Sequence, residues 1–125
     1  GGRTRLQPVY VEDVAEAIVR MLADPGTGGL TYELAGPRVY TLRELVSFVL
    51  RLLDKRRLLV PLPFAVAAFQ ARLLELLPNP PLTTSQVDLL RIDNVASGDL
   101  PSFRDLNIRP KAVEDIVPTY IDRLR

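Results

Sequence analysis

The sequence predicts an α/β fold that is mostly helical and carries only a few short strands. Five segments are predicted to be helices, from their apolar pattern or from a capping box at their start. Three β-prone runs, at 6–11, 30–34 and 58–62, have only about five residues each. Strands of that length form at most a small sheet. We therefore expect at least one of them to pair in a sheet that lies outside these 125 residues.

The first strand and the first helix are predicted to follow one another closely. In the run 6–11, Pro8 limits the strand to a sheet edge or to its first residues. Glu12 and Asp13 then place negative charge where the dipole of a helix N-terminus favours it. The helix is expected to end at Pro25. Its apolar stripe consists of Val14, Ile18, Met21 and Leu22.

The second helix has the clearest start in the sequence. Thr41 is a typical cap, and Glu44 completes a capping box with it. Tyr40 and Leu45 occupy the positions of a hydrophobic staple around this box. The core face predicted for this helix consists of Leu42, Leu45, Val46, Val49, Leu52 and Leu53.

A similar signal opens a shorter helix in the second half of the chain. Thr83 and Gln86 form a second capping box, and Leu82 with Val87 would supply its staple. We expect this helix to run from the box to about residue 92. Two capping boxes therefore predict two helix starts from short-range chemistry alone.

The other helices of the second half are predicted from apolar pattern. The segment 64–77 is apolar on most sides and stops at the Pro-rich stretch 78–81. Residues 93–107 have no periodicity and are predicted to be loop. In the last helix, Pro118 should cause a kink or split off the first turn. The apolar face of that helix consists of Val113, Ile116, Val117, Tyr120, Ile121 and Leu124.

Composition excludes several classes of function. Sixteen basic and fifteen acidic residues leave a net charge of +1, which argues against a nucleic-acid-binding protein. The chain has no Cys and no His, so disulfides, most zinc sites and Ser–His or Cys–His nucleophiles are excluded. We predict no metal site. Acid–base chemistry would have to use carboxylates, Lys or Tyr.

Three segments, in order, resemble motifs of the extended and atypical short-chain dehydrogenase/reductases, the NAD-dependent epimerase/dehydratase-like proteins. Residues 7–15 (QPVYVEDVA) are similar to the family's passage from a small-domain strand into a helix. Residues 29–37 (GLTYELAGP), followed by 40–45 (YTLREL), resemble a strand that ends in Gly and a capped helix. Residues 106–110 (LNIRP) resemble the closing motif before the last helix. The resemblance extends over essentially the whole chain.

Residues 10–15 and 60–64 (VPLPF) are most similar to one branch of this family, the accessory subunits of complex I (NADH:ubiquinone oxidoreductase alpha-subcomplex subunit nine) and their bacterial relatives. The resemblance implies that residues 1–125 are the C-terminal, substrate-side lobe of a Rossmann-type protein, and the start at Gly1 is that expected of a piece of a longer chain. It implies NAD or NADP as cofactor of the parent protein, bound by an N-terminal Rossmann lobe absent from this chain. The partners that it implies are this N-terminal lobe and subunits of respiratory complex I. The location that it implies is the cytoplasm, or the inner face of a respiratory membrane as a peripheral protein.

The chain departs from the family at the residues that bind cofactor and carry out catalysis. Its Gly-rich stretch 26–29 follows a helix and precedes a strand, which is the reverse of a phosphate-binding turn. None of its tyrosines has a Lys four residues later, so the family's Tyr-x-x-x-Lys pair is missing. We therefore predict no catalytic and no cofactor-binding residue in this chain.

Pro8, Val9 and Tyr10 are the candidates for lining a substrate pocket, because they resemble the segment that approaches the nicotinamide end in the family. The alternative is plain packing at a strand edge. Asp13 could be a catalytic acid, but we expect it to cap the helix that it opens. The apolar helix at 64–77 could line a pocket, meet a quinone-rich membrane surface or, as we favour, be buried in a core or against the missing lobe.

Two functions of different classes remain open. The parent protein could hold its nucleotide structurally and use this lobe to dock on a respiratory complex, with no turnover by the lobe alone. Alternatively, the lobe could be the substrate domain of an active NAD(P)-dependent oxidoreductase or sugar-nucleotide epimerase. In either case, removing the partner lobe would expose apolar surface, so the isolated piece is expected to form a homodimer.

Overall fold

The computed structural model describes residues 2–81 and 83–124, and it confirms a mostly helical α/β fold. Within those residues the strands are β1 (Arg5–Leu6) and β2 (Tyr40–Thr41). The helices are α1 (Val11–Ala23), α2 (Leu42–Leu52), α3 (Phe64–Leu74), α4 (Thr84–Leu89) and α5 (Val113–Leu124).

The small sheet joins three distant parts of the chain. β1 and β2 pair antiparallel, with Leu6 opposite Tyr40. On its other side, Leu6 forms a parallel bridge with Asn94. The backbone N–H of Gln7 donates to the carbonyl oxygen of Asn94 at 3.1 Å. Residues 5–7 therefore fix the position of the segment that leads to the candidate pocket residues.

Three of the sequence predictions for strands are corrected. The first strand ends at Leu6 rather than at residue 11, because α1 already begins at Val11. Residues 30–34 and 58–62 form no strand in the structure. A strand needs a neighbour to satisfy its backbone groups, and these runs have no partner strand among the described residues.

The core lies between α1 and the segment 103–108. Ala17 of α1 is fully buried and packs with Phe103, Leu106 and Ile108. Phe103 and Leu106 belong to a 3₁₀ turn that the sequence prediction of a loop at 93–107 missed. The partly buried side chains around this core are Val14, Met21, Tyr32 and Leu34.

The predicted apolar stripe of α1 is only half correct. Val14 and Met21 contact the core, but Ile18 is about half exposed and Leu22 is 83% exposed. The core lies on the side of α1 that carries Ala17, so Ile18 and Leu22 point away from it. α1 consequently has a second apolar side that nothing in the described structure covers.

The helix bounds of the second half differ modestly from the predictions. α3 ends at Leu74 instead of residue 77, and α4 ends at Leu89 instead of about residue 92. α5 continues through Pro118 as one helix, so its first turn is not split off. Leu82, the predicted staple residue, lies outside the described residues, as does the side chain of Leu124.

Both predicted capping boxes are confirmed. The Thr41 hydroxyl accepts the N–H of Glu44 at 3.2 Å, and the N–H of Thr41 donates to the Glu44 carboxylate at 2.6 Å. The same reciprocal pair joins Thr83 and Gln86, at 3.3 and 3.1 Å. The bonds from Thr41 hold the pKa of the Glu44 carboxyl below its usual range. The structure does not confirm the core face predicted for α2, because no residue of that helix is buried.

Replacing Thr41 with alanine should lower the free energy of unfolding by about 1 kcal/mol, since the N–H of Glu44 loses its acceptor. Urea unfolding monitored by circular dichroism measures this loss. Thr31→Ala is a suitable control, because the side chain of Thr31 is exposed and has no hydrogen bond within the described residues. Equal stabilities of the two variants would contradict the cap.

Candidate functional site

The candidate pocket residues Pro8, Val9 and Tyr10 form the short connection between β1 and α1. Two contacts fix the start of this connection. The Gln7 amide nitrogen donates to the carbonyl oxygen of Gly36 at 2.8 Å, and the Gln7 amide oxygen accepts the N–H of Ala96 at 2.9 Å. The connection is thus anchored to two loops before it reaches the helix.

Gly36 lies so close to this connection that a side chain would not fit. A Cβ atom built on Gly36 would stand 1.7 Å from the carbonyl oxygen of Pro8. This distance is far below any van der Waals contact, so the backbone at Pro8 can take its course only because residue 36 is glycine. The conformation of the candidate residues therefore depends on Gly36.

Pro8, Val9 and Tyr10 form one wall of a cavity of about 290 Å³. The opposite wall comes from the start of α5 and the loop before it, with Lys111, Ile116 and Tyr120 among its residues. The ammonium of Lys111 lies 5.2 Å from the centroid of the Tyr10 ring, within cation–π range. The structure therefore brings the three sequence-predicted residues together with residues about a hundred positions later in the chain.

The electrostatics of this cavity disfavour a basic role for Tyr10. The nearby Glu12 carboxylate is the largest cause that raises the pKa of Tyr10 above its ordinary value, followed by burial and by the Tyr120 hydroxyl. A phenol with a raised pKa stays protonated at neutral pH, so it can donate a hydrogen bond but cannot abstract a proton. The arrangement suits binding through apolar contact and hydrogen bonding.

Asp13 does not cap α1, contrary to the sequence prediction. The helix begins at Val11, so Asp13 already lies inside the first turn, and the capping position belongs to Tyr10, whose side chain makes no capping bond. Asp13 is 4% exposed, and its carboxylate accepts the backbone N–H of Lys111 at 2.7 Å. It therefore holds the loop that forms the opposite wall of the cavity.

A second polar cluster, around Tyr40, was missed by sequence reasoning. The Tyr40 hydroxyl donates to the Glu114 carboxylate at 2.5 Å, and Arg38 lies 3.4 Å from the same carboxylate. Burial, and after it the bond to Glu114, raises the pKa of Tyr40 to about 12, and that bond lowers the pKa of Glu114. The cluster fastens α5 to β2. No local pattern signals a pair separated by 74 positions.

The described residues contain neither a metal-type cluster nor a membrane span. Among the side chains that the structure describes, in residues 2–81 and 83–121, no three from Asp, Glu, His or Cys converge as metal ligands would. Among the helices of that part of the chain, none has the length and apolar character required to cross a bilayer.

Comparison with known proteins identifies homologues across the chain, although no family model matches it. The chain is 36% identical over 115 residues to "NADH dehydrogenase [ubiquinone] 1 alpha subcomplex subunit 9, mitochondrial" of Mus musculus, which covers 91% of this chain. It is 38% identical over 135 aligned positions to the protein of the same name from Arabidopsis thaliana, which covers 100% of it. It is 31% identical over 126 positions to the "NADH-ubiquinone oxidoreductase 40 kDa subunit, mitochondrial" of Neurospora crassa.

The chain spans about a third of the length of these relatives, between 30% and 34%. The similarity extends over nearly all of its own residues, including the segment 7–15 and the capped start of α2. These three homologues of the chain are mitochondrial subunits of complex I, the NADH:ubiquinone oxidoreductase.

Proposed function

We propose that this chain is the C-terminal, substrate-side lobe of a complex I accessory-type protein. It would act by docking onto its partners, first of all the nucleotide-binding lobe of the parent protein, and would have no turnover of its own. A nucleotide-binding lobe elsewhere in the parent protein would hold NAD or NADP. The homologues support this proposal, because they carry complex I names and are about three times longer than this chain. Peripheral association with a respiratory membrane follows from the same proposal.

The observation that carries the proposal is an uncovered apolar face, here called the lobe face. It is formed by the outer side of α1. On α1, Leu22 is 83% exposed and Val19 is 65% exposed. Monomeric proteins rarely leave contiguous apolar side chains of this size in water, and such faces usually mark an interface.

The backbone of the segment 30–34 supports the same conclusion. The N–H groups of Thr31, Tyr32 and Leu34 have no hydrogen-bond partner among the described residues. The run is β-prone, and unpaired backbone groups of this kind accept an added strand. We infer that residues 30–34 extend the sheet of the nucleotide-binding lobe.

The cavity at Pro8, Val9 and Tyr10 would then shape the substrate side of the parent protein. Its wall joins α1 directly, because Tyr10 precedes the first residue of that helix. Docking of α1 onto the nucleotide-binding lobe would consequently fix the position of these three residues relative to the nicotinamide. They contribute shape and hydrogen bonding, whereas the redox chemistry would belong to the cofactor.

The lobe face can be tested by charge substitution at two equally exposed leucines. Leu22 lies on the lobe face and Leu76 follows α3, and both are 83% exposed. The partner would be the Arabidopsis relative without the third that matches this chain, produced separately. Leu22→Glu should weaken association by roughly tenfold or more, because the carboxylate would be buried without a partner. Leu76→Glu should leave the affinity unchanged. Equal effects of the two substitutions would refute the assignment of this face.

A further inference from the structure

Two cavities meet on α2, away from the cavity at Pro8, Val9 and Tyr10. The first, here called the apolar cavity, has a volume of about 370 Å³ and lies between α2, the segment 58–62, α3 and α4. The second, here called the arginine cavity, has a volume of about 390 Å³. Both volumes fall within the range of roughly 300–1,000 Å³ that is typical of small-molecule sites.

The walls of the two cavities have opposite chemistry. The apolar cavity is lined by hydrocarbon, including the side chains of Leu42, Val46, Phe64, Ala67 and Val87. The arginine cavity carries three guanidinium groups, from Arg38, Arg43 and Arg51, and two carboxylates, from Glu44 and Glu114. Its other lining residues are Tyr40, Thr41, Ser47 and Phe48.

Arg43 lines both cavities. Successive residues of a helix are rotated by about 100°, so Leu42 and Val46 share one side of α2, whereas Ser47 and Arg51 share the next. Arg43 projects from between these two sides. A molecule with an apolar part and an anionic part could therefore fill the apolar cavity and reach a guanidinium without crossing the helix.

Two of the three guanidinium groups are available to a ligand. Arg38 is paired with Glu114 at 3.4 Å. The side chains of Arg43 and Arg51 have no ion pair or hydrogen bond with any described residue. The Glu44 carboxylate, which also lines this cavity, is already bonded to Thr41. Ser47 lies one helical turn from each free arginine, so all three side chains are on one stripe.

The rim of the apolar cavity is not closed by the chain itself. Leu58 is 89% exposed and Val60 is 70% exposed, although both line the cavity. Polar small molecules are not stabilised by such a wall, whereas a hydrocarbon chain is stabilised in proportion to the apolar area that it removes from water. The apolar wall and the free arginines therefore favour one ligand that has both a hydrocarbon chain and a negative head.

We propose that this double cavity binds an anionic amphiphile with a phosphate head. Its hydrocarbon chain lies in the apolar cavity, and its phosphate pairs with Arg43, assisted by Arg51 and Ser47. Guanidinium groups bind phosphate through two parallel hydrogen bonds, which makes arginine the residue best suited to this head group. The phosphate can belong to a free amphiphile or to a lipid at a membrane surface.

The binding test uses dodecyl phosphate below its micellar concentration, titrated into the 125-residue chain by calorimetry. We expect saturable binding of one molecule. Inorganic phosphate alone and the neutral detergent dodecyl maltoside should each bind roughly tenfold or more weakly, because each lacks one of the two interactions. Dodecyl maltoside binding as tightly as dodecyl phosphate would overturn the role of the arginines.

Variants separate the two halves of the site. Arg43→Gln should weaken binding of dodecyl phosphate by roughly tenfold or more, and Ala67→Phe should weaken it by filling the apolar cavity. Arg72→Gln, an exposed arginine of α3 that lines neither cavity, is the matched control and should bind normally. Circular dichroism checks that each variant is folded. Unchanged affinity in a folded Arg43→Gln variant would overturn the proposal.

A flotation assay distinguishes the two sources of the phosphate. Vesicles of phosphatidylcholine with and without phosphatidic acid are mixed with the chain and with Arg43→Gln. Flotation that requires both phosphatidic acid and Arg43 would assign the site to a membrane lipid. Binding of dodecyl phosphate without flotation would assign it to a free amphiphile. If the chain neither bound dodecyl phosphate nor floated with the vesicles, the proposed site would be refuted.

Discussion

Replacing Gly36 with alanine is expected to lower the free energy of unfolding by about 3 kcal/mol, the upper part of the range for overpacked sites. The added methyl group would stand 1.7 Å from the carbonyl oxygen of Pro8 and 2.8 Å from its carbonyl carbon. Backbone atoms cannot rotate away as the end of a flexible side chain does, so the two segments must separate. Their separation would also strain the bond from Gln7 to the carbonyl oxygen of Gly36.

Urea unfolding of Gly36→Ala and of Gly28→Ala would test this expectation. Gly28 has one backbone neighbour at 3.3 Å and a φ of −58°, so alanine should cost far less there. Because Gly36 also fixes the course of Pro8, its variant should alter the environment of the Tyr10 ring, which tyrosine fluorescence or NMR can report. A Gly36→Ala variant as stable as Gly28→Ala would contradict the close approach.

Replacing Asp13 with alanine should lower the free energy of unfolding by about 2 kcal/mol, because it removes the buried carboxylate that accepts the N–H of Lys111 in a part-buried hydrogen bond. The effect should exceed that of a lost helix cap, since the bond joins α1 to a loop 98 positions away. The opposite wall of the Tyr10 cavity should become mobile at the same time.

Asp13→Asn is the matched comparison, since its amide oxygen can still accept the N–H of Lys111. We expect it to retain roughly half of the stability that alanine loses, because a hydrogen bond to a neutral acceptor is weaker than one to a carboxylate. Chemical denaturation of all three proteins measures both losses. If neither the alanine nor the asparagine substitution changed the free energy of unfolding, Asp13 would not hold this loop.

Short-range chemistry made part of the fold predictable. The capping boxes at Thr41 and Thr83 depend on atoms within three residues, so the sequence pattern was sufficient to place both helix starts. The 3₁₀ turn at 103–106 also has such a box, Ser102 with Asp105. The prediction missed it because no apolar periodicity follows so short a turn.

Long-range contacts could not be predicted in the same way. The partners of Asp13 and Tyr40 are 98 and 74 positions away, and nothing local to either residue identifies them. The candidate residues Pro8, Val9 and Tyr10 were found by resemblance, whereas the cavity that they line depends on where the chain places Lys111 and α5. Gly36 carried a signal that could have been used, since glycine permits two segments to approach closely.

The strand predictions failed because propensity does not supply a partner. Residues 30–34 are β-prone, yet they form no ladder in the described structure. In the proposed arrangement the missing neighbouring strand belongs to the nucleotide-binding lobe, so residues 30–34 would form a strand only in the larger protein. Docking of that lobe would also cover the outer side of α1, which is apolar and exposed in this structure.

Hydrogen–deuterium exchange at residues 30–34 tests this central claim most directly. In the chain alone, the amides of Thr31, Tyr32 and Leu34 should exchange rapidly, whereas that of Glu33, which donates to the carbonyl oxygen of Pro101 at 2.8 Å, should be slower. Adding the separately produced lobe of the Arabidopsis relative should slow exchange of alternate amides along 30–34, as expected when a strand joins a sheet edge. Association of the lobe that leaves exchange at 30–34 unchanged would contradict the account.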